Sequence, residues 1–225
     1  MAEDDGVDRE KRVRGFPIAR EGFIFILPSL FLSIIFLLMK FTILFILTGI
    51  CFLFFLFFFR NPKRFSHAGH DIFISPADGK IIEIKKNATD EMLTGEHERI
   101  SIFMSLASVH VNRAPCEGTI SKVLHKKGAF ALAFKKDIDK ENERNYILID
   151  HQGIKILIVQ IAGFLARRIT SYVKEKDSVK RGDPIGIVAF GSRVDIYIPK
   201  GYESMVSLNE RVKAGVTPLA KKREP

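Results

Sequence analysis

Cysteine is nearly absent from this chain, with 2 in 225 residues. Cys51 lies inside an apolar run and Cys116 in a segment of mixed polarity, so no disulfide framework is available and a reducing compartment is the expected setting. Acidic residues are missing altogether from Phe23 to Phe59, where Lys40 is the sole charge. No small-residue cleavage site follows that run, and it is far too long for the apolar core of a signal peptide. A nucleic-acid-binding motif is also missing. The formal charge is +9, but Lys and Arg are interspersed with Asp and Glu throughout the polar part, which points away from a nucleic-acid partner and toward anionic lipid at a cytoplasmic surface. No metal site is expected.

Residues 1–21 mix Arg9, Lys11, Arg12, Arg14 and Arg20 with Glu3, Asp4, Asp5, Asp8, Glu10 and Glu21, and read as a solvated cytoplasmic tail. As one helix, Phe23–Phe59 would overshoot a hydrocarbon core of roughly 30 Å at about 1.5 Å per residue. Split at Met39-Lys40, it yields Phe23–Met39 and Phe41–Phe59, each near the minimum length that spans. Both outer flanks are basic, Arg14 and Arg20 before, Arg60, Lys63 and Arg64 after, which by the positive-inside rule places both in the cytoplasm and makes residues 22–60 a transmembrane helical hairpin. The alternative is a single tilted helix with its flanks on opposite sides. Pro62 ends the helix, and the basic residues around it are expected beside phosphate head groups.

Residues 61–225 form the second domain. Ser75-Pro76-Ala77-Asp78-Gly79-Lys80-Ile81 and Ala114-Pro115-Cys116-Glu117-Gly118-Thr119-Ile120 share the pattern small-Pro-x-acidic-Gly-x-Ile, each followed by alternating apolar residues. Pro and acidic-Gly are turn chemistry, and the alternation is strand chemistry. Two copies predict duplicated hairpin units. A third piece, Val179 to Gly186, has the Gly182-Asp183 turn and short strand of a biotinyl- or lipoyl-type hammerhead sheet. The expected fold is therefore mainly β: a compact antiparallel, hammerhead-like domain behind the helical hairpin.

Candidate chemistry lies in three places. Phe190-Gly191-Ser192-Arg193-Val194-Asp195 sets a Gly-Ser bond between two apolar runs, an ordinary turn or a strained bond within reach of a hydroxyl. Ser108-Val109-His110-Val111-Asn112-Arg113 puts His110 and Arg113 near a strand end, where side chains converge on a pocket or are simply buried. Arg167 and Arg168, beside Gln160-Ile161-Ala162-Gly163, fit a phosphate or carboxylate as well as a solvated face, and the cluster Asn142 to Asn145 reads as such a face. His125 is expected at a turn.

Taken in order, the apolar hairpin, Arg60-Asn61-Pro62, Ser75-Pro76-Ala77-Asp78-Gly79-Lys80, Ser108 to Pro115, Gln160 to Gly163 with Ala166-Arg167-Arg168-Ile169, and Phe190 to Asp195 closely resemble the phosphatidylserine decarboxylase family in its short bacterial form. The resemblance runs from the apolar segment to about Pro199. It implies a proenzyme in which Ser192 Oγ attacks the Gly191 carbonyl, giving a large chain (1–191) and a small one (192–225) that begins with a covalent pyruvoyl group made from Ser192. It further implies decarboxylation of phosphatidylserine to phosphatidylethanolamine through a Schiff base, at the inner cell membrane with the catalytic domain (61–225) on the cytoplasmic side; association beyond the two-chain unit is left open. Asp78 matches the family's acidic residue, which would activate Ser192 through a histidine, and His110 matches the family histidine. Longer members carry a second histidine where this chain has Arg113. Either His110 serves both cleavage and protonation, or Arg113 orients the substrate carboxylate or phosphate while another group is the base. The competing reading is a non-enzymatic, membrane-anchored hammerhead adaptor; it leaves Gly191-Ser192 without a purpose and lacks the lysine site of a true carrier.

Overall fold

The computed structural model describes residues 17–128, 142–163, 169–189 and 192–223. They form two compact units, one ending at Lys63 and the other beginning at Arg64.

The first unit is a pair of apolar helices, α1 (Phe23–Leu38) and α2 (Thr42–Phe58), whose ends fall within one residue of the expected segments. The chain reverses at Lys40, which takes the left-handed conformation at φ 60°. At the other end Ala19 N donates to Phe59 O at 2.7 Å and Asn61 N to Pro17 O at 2.6 Å, so the helices run antiparallel with their outer ends pinned. Small residues line the seam: a Cβ on Gly49 would stand 3.7 Å from Ser33 Oγ. Buried Ser29 satisfies its hydroxyl on the Phe25 and Ile26 carbonyls. Arg20–Leu38, at 19 residues, is long and apolar enough to cross a membrane; α2 is shorter at 17.

The second unit is built from β1 (Ile72–Ile74), β2 (Gly79–Ala88), β3 (His97–Met104), β4 (Val111–Arg113), β5 (Gly118–Lys126), β6 (Arg144–His151), β7 (Ile154–Ala162), β8 (Ile169–Ser171), β9 (Ser178–Val179), β10 (Pro184–Val188), β11 (Ser192–Pro199), β12 (Tyr202–Ser204), β13 (Arg211–Val212) and β14 (Pro218–Lys222). Eight of them make one antiparallel sheet in the order β13-β2-β3-β11-β7-β6-β5-β9. Two three-stranded sheets, β1-β14-β12 and β4-β10-β8, accompany it. A cluster of buried Ile, Val, Leu and Ala side chains fills the interior, to which β11 contributes Val194, Ile196 and Ile198. Each buried Ile, Val or Leu contributes about 1.5–3 kcal/mol.

The duplication expected from the Pro-x-acidic-Gly turns extends through the whole unit. After each turn the ladder carries a bulge at the same offset, between Ile81 and Glu83 and between Ile120 and Lys122. Ile81 N donates to Glu210 O at 2.9 Å, and Ile120 N to Asp177 O at 2.8 Å. Gly215 N meets Ser75 O as Gly182 N meets Ala114 O, both at 2.9 Å. These contacts expose a second repeat that the sequence reading missed: Ser171 to Gly182 and Ser204 to Gly215 share Ser-x-Val-x-x-Lys/Asn-acidic-x-Val-Lys-x-Gly. Lys176 and Asn209, at the same place in it, both sit at φ 72°. The Gly182 turn belongs to this repeat.

Copy two, β4 to β10, is inserted between β3 and β11 of copy one. In copy two, β6 and β7 are joined by the tight turn Gln152-Gly153, and His151 pairs with Ile154. In copy one the matching pair is Met104 with Ser192, and the whole of copy two stands where the turn would be. Ser192 is thus the counterpart of Ile154, and Gly191 occupies the sequence position of Gly153.

The turn glycines are required by close approach. A Cβ on Gly79 would lie 2.1 Å from Phe103 O, and one on Gly118 2.4 Å from Asp150 O, both backbone atoms of a paired strand. Gly79→Ala or Gly118→Ala therefore forces the strands apart, with an expected loss of about 3 kcal/mol. Thermal unfolding of the detergent-solubilised protein measures it; an unchanged midpoint would show that the ladder relaxes freely.

Candidate active site

The chain passes from copy one to copy two between β3 and β4 and returns between β10 and β11. His110 closes the outgoing crossing and Ser192 the returning one. Ser192 begins a central strand, with Met104 opposite on β3 and Ala162 opposite on β7. Alternation along β11 puts its side chain on the same inner face as Val194 and Ile196. It is fully buried, and Oγ has no hydrogen-bond partner among the described residues. A buried hydroxyl without a partner is costly and asks for an explanation, which a reactive role supplies. Gly191 lies outside the described residues, as do Arg167 and Arg168.

His110 is 1% exposed, and its carbonyl accepts from Val188 N at 3.4 Å. Val188 ends β10 and is four residues from Ser192, so the two crossings are tied within roughly 14 Å of chain. Asp78 sits in the first Pro-acidic-Gly turn. Its carboxylate accepts from Ala214 N at 2.7 Å and from Val109 N, next to His110, at 3.4 Å. Arg64 grips both of its oxygens, with Nη2 2.9 Å from Oδ2, and also donates to Ala214 O. Arg64 was expected to face head groups; it is instead 12% exposed and belongs to this turn, because a half-buried carboxylate draws in a nearby cation. Arg113 is spent on the fold as well, its Nη1 donating to Gly182 O at 2.9 Å. Burial, then neighbouring Arg64, holds its guanidinium down at about 10, against the pull of Asp78 and Asp183. Along β4 its side chain points away from that of Asn112.

Three buried carboxamides were missed in the sequence. Asn145 Nδ2 donates to Gln160 Oε1 at 2.8 Å, Gln160 Nε2 to Asn112 Oδ1 at 2.7 Å, and Asn112 Nδ2 to Met104 Sδ at 3.4 Å. All three are 0% exposed, on the face that carries Ser192. The available signal was Gln160 itself, the sole polar residue from Ile156 to Ala162. Asn142 and Asn145, expected on a solvated face, are buried instead: Asn145 lies in β6, an inner strand of the sheet, and Asn142 donates its Nδ2 to Ala162 O at 2.8 Å. His125, expected at a turn, lies in β5, where pairing with β6 continues to Lys126, and its Nε2 is 3.1 Å from Glu143.

On the opposite face of β11, Arg193 and Asp195 form a buried ion pair at 2.8 Å, 5% and 3% exposed. Removing one partner of such a pair strands the other charge, which makes it a strong constraint on the strand that Ser192 begins. Burial, with the Asp195 carboxylate second, pushes the Tyr197 hydroxyl up to about 12. Burial pushes the Cys116 thiol up to about 12 as well, which removes it as a nucleophile at neutral pH.

A buried serine and a buried histidine at the two crossings of a duplicated β unit are a specific arrangement, and comparison with known proteins attaches a family to it. The family model for phosphatidylserine decarboxylase matches residues 51–220. A phosphatidylserine decarboxylase proenzyme of Syntrophus aciditrophicus is 41% identical over 206 residues, covering 90% of this chain and 96% of the relative. One from Carboxydothermus hydrogenoformans is 41% identical over 203 residues, covering 90% and 95%, and one from Amoebophilus asiaticus 42% over 167 residues, covering 74% of each. With the match spanning both crossings and most of the chain, this protein belongs to the phosphatidylserine decarboxylase family.

Proposed function

We propose that the chain is a proenzyme that cuts itself between Gly191 and Ser192 and then decarboxylates phosphatidylserine to phosphatidylethanolamine and carbon dioxide. The observation that carries this, beside family membership, is the fully buried Ser192 hydroxyl, without a partner among the described residues, at the crossing tied to that of His110. In the cleavage, Ser192 Oγ bonds to the Gly191 carbonyl carbon and the peptide C–N bond breaks, with the hydroxyl proton passing to the Ser192 nitrogen. Loss of the Ser192 Cα proton and of the Cβ–Oγ bond then frees the Gly191 carboxylate. Uptake of water and loss of ammonia complete the change of residue 192. His110 moves the protons, and Asp78, anchored by Arg64, holds the segment that carries it.

The residues present fit a pyruvoyl group at position 192: the Ser192 hydroxyl has no partner among the described residues, and Ala162, facing it across the ladder, is small. That group supplies an electron sink for the pair left behind as carbon dioxide departs. The chain's own part is to exclude water from the inner face of β11 and to protonate the product carbon, a task assigned to His110. Substrate orientation falls to Arg167 and Arg168, with Arg113 committed to Gly182.

Residues 22–60 are read as a transmembrane hairpin with both ends in the cytoplasm, and residues 61–225 as a hammerhead-like catalytic domain tethered at the inner membrane. The tether raises the effective concentration of an anionic lipid substrate. The product of processing is a two-chain unit, 1–191 with 192–225. An adaptor would have no use for the buried serine.

Reconstitution of the purified protein into vesicles containing phosphatidylserine labelled in its carboxyl group tests the reading. The expected result is release of labelled carbon dioxide and one phosphatidylethanolamine per carbon dioxide. A folded protein that releases none would overturn it.

A further inference from the structure

We infer that Asn112 is the hydrogen-bond donor of the Ser192 site, locked in place by Gln160 and Asn145, and that it serves the oxygen that becomes negative when Ser192 reacts. The inference rests on the reading of Ser192 as the residue that cleaves.

The orientation of the three carboxamides follows from their terminus. A thioether accepts hydrogen bonds and cannot donate, so Asn112 must turn its NH₂ group toward Met104 and its oxygen toward Gln160. Gln160 must then donate to Asn112 and accept from Asn145. A carboxamide NH₂ has two hydrogens, and a thioether is a weak acceptor. Fully buried Asn112 thus spends its donors, among the described residues, on one sulfur atom at 3.4 Å. In a site closed to water, that is donor capacity held in reserve.

Its location gives the reserve a use. Met104 stands directly opposite Ser192 in the β3–β11 ladder, so Asn112 reaches the side chain next to the orphaned Oγ. The fold also makes room for this arrangement. A Cβ on Gly186, which pairs with Asn112 between β4 and β10, would come 2.8 Å from Gln160 Nε2 and 2.8 Å from Thr170 O. Glycine at 186 is what lets Gln160 reach Asn112.

As Oγ bonds to the carbonyl carbon, the C=O π pair moves onto oxygen. An N–H fixed beforehand at the Ser192 site stabilises such a charge without reorganisation. When the C–N bond breaks, the pair returns to reform C=O and the Oγ proton leaves with the nitrogen.

The test is the rate of self-cleavage, read by mass on freshly purified proenzyme. Asn112→Leu keeps the branched shape and removes the donors; the expected result is cleavage about a hundredfold slower in a protein that still folds, with an unfolding midpoint lowered by the stranding of Gln160 Nε2. Hydroxylamine, which cuts the ester formed by the Ser192 attack, should fail to restore the rate, because formation of that ester is the slowed step. Gln160→Met leaves Asn112 present but unlocked and should slow cleavage roughly tenfold, so it decides the matter if Asn112→Leu does not fold. Wild-type cleavage rates in the folded variants, or full rescue by hydroxylamine, would overturn the inference. A wild-type chain that never cleaves would instead overturn the reading of Ser192 on which it rests.

Discussion

Ser192→Ala leaves the chain whole. Wild-type protein should resolve into residues 1–191 and residues 192–225, the smaller piece without a free amino terminus, whereas the variant should run at the full 25.5 kDa. The expected loss is complete, since alanine has no atom that can attack the carbonyl or leave by elimination. Relative to the uncleaved proenzyme, stability should move the other way. The buried hydroxyl has no partner among the described residues, so replacing it with a methyl group removes a desolvation cost of about 1–3 kcal/mol. An inert variant with a raised unfolding midpoint is the signature of a residue kept for chemistry. A variant that still breaks at the same bond would show that another nucleophile acts, and buried Cys116, its thiol pushed up to about 12, is poorly suited to that task.

His110→Gln carries the second largest effect. Glutamine keeps a polar group in the 1% exposed site but cannot take and return a proton near neutrality. Loss of a positioned general acid–base is worth about 10²–10⁴ in rate. Arg113 is bound to Gly182 and turned from the Asn112 face, which leaves His110 to serve both steps. Both self-cleavage and decarboxylation should therefore fall together in His110→Gln. The two are separated by waiting for whatever fraction cleaves and assaying it on phosphatidylserine. Full activity in that fraction would confine His110 to processing, and normal cleavage with no carbon dioxide would confine it to protonation.

The helical hairpin was legible because its signals are local. A run without acidic residues, one lysine at its middle and basic flanks specify two helices and the turn between them, and each helix satisfies its own backbone within the run. The Pro-acidic-Gly turns were legible for the same reason, and a Cβ at Gly79 or Gly118 would strike the neighbouring strand. The second repeat, Ser171 to Gly182 with Ser204 to Gly215, was equally present in the sequence. It was hidden by sparse identities, which became evident once matching hydrogen bonds aligned them.

What the sequence determined by itself is the apolar hairpin, the turns, and an ordered set of motifs sufficient for a family. Tertiary structure alone decided that copy two is inserted at a turn position of copy one, which brings Ser192 and His110 to neighbouring crossings from 82 positions apart, as their numbers show. It alone pulled Arg64 away from the lipid-facing role its neighbours suggested and onto Asp78, and fitted Gln160 over Gly186 to hold Asn112. The physical reason is that strand register and buried polar pairing are fixed between residues distant in the chain, where burial leaves a donor or acceptor no partner but the one the fold brings to it.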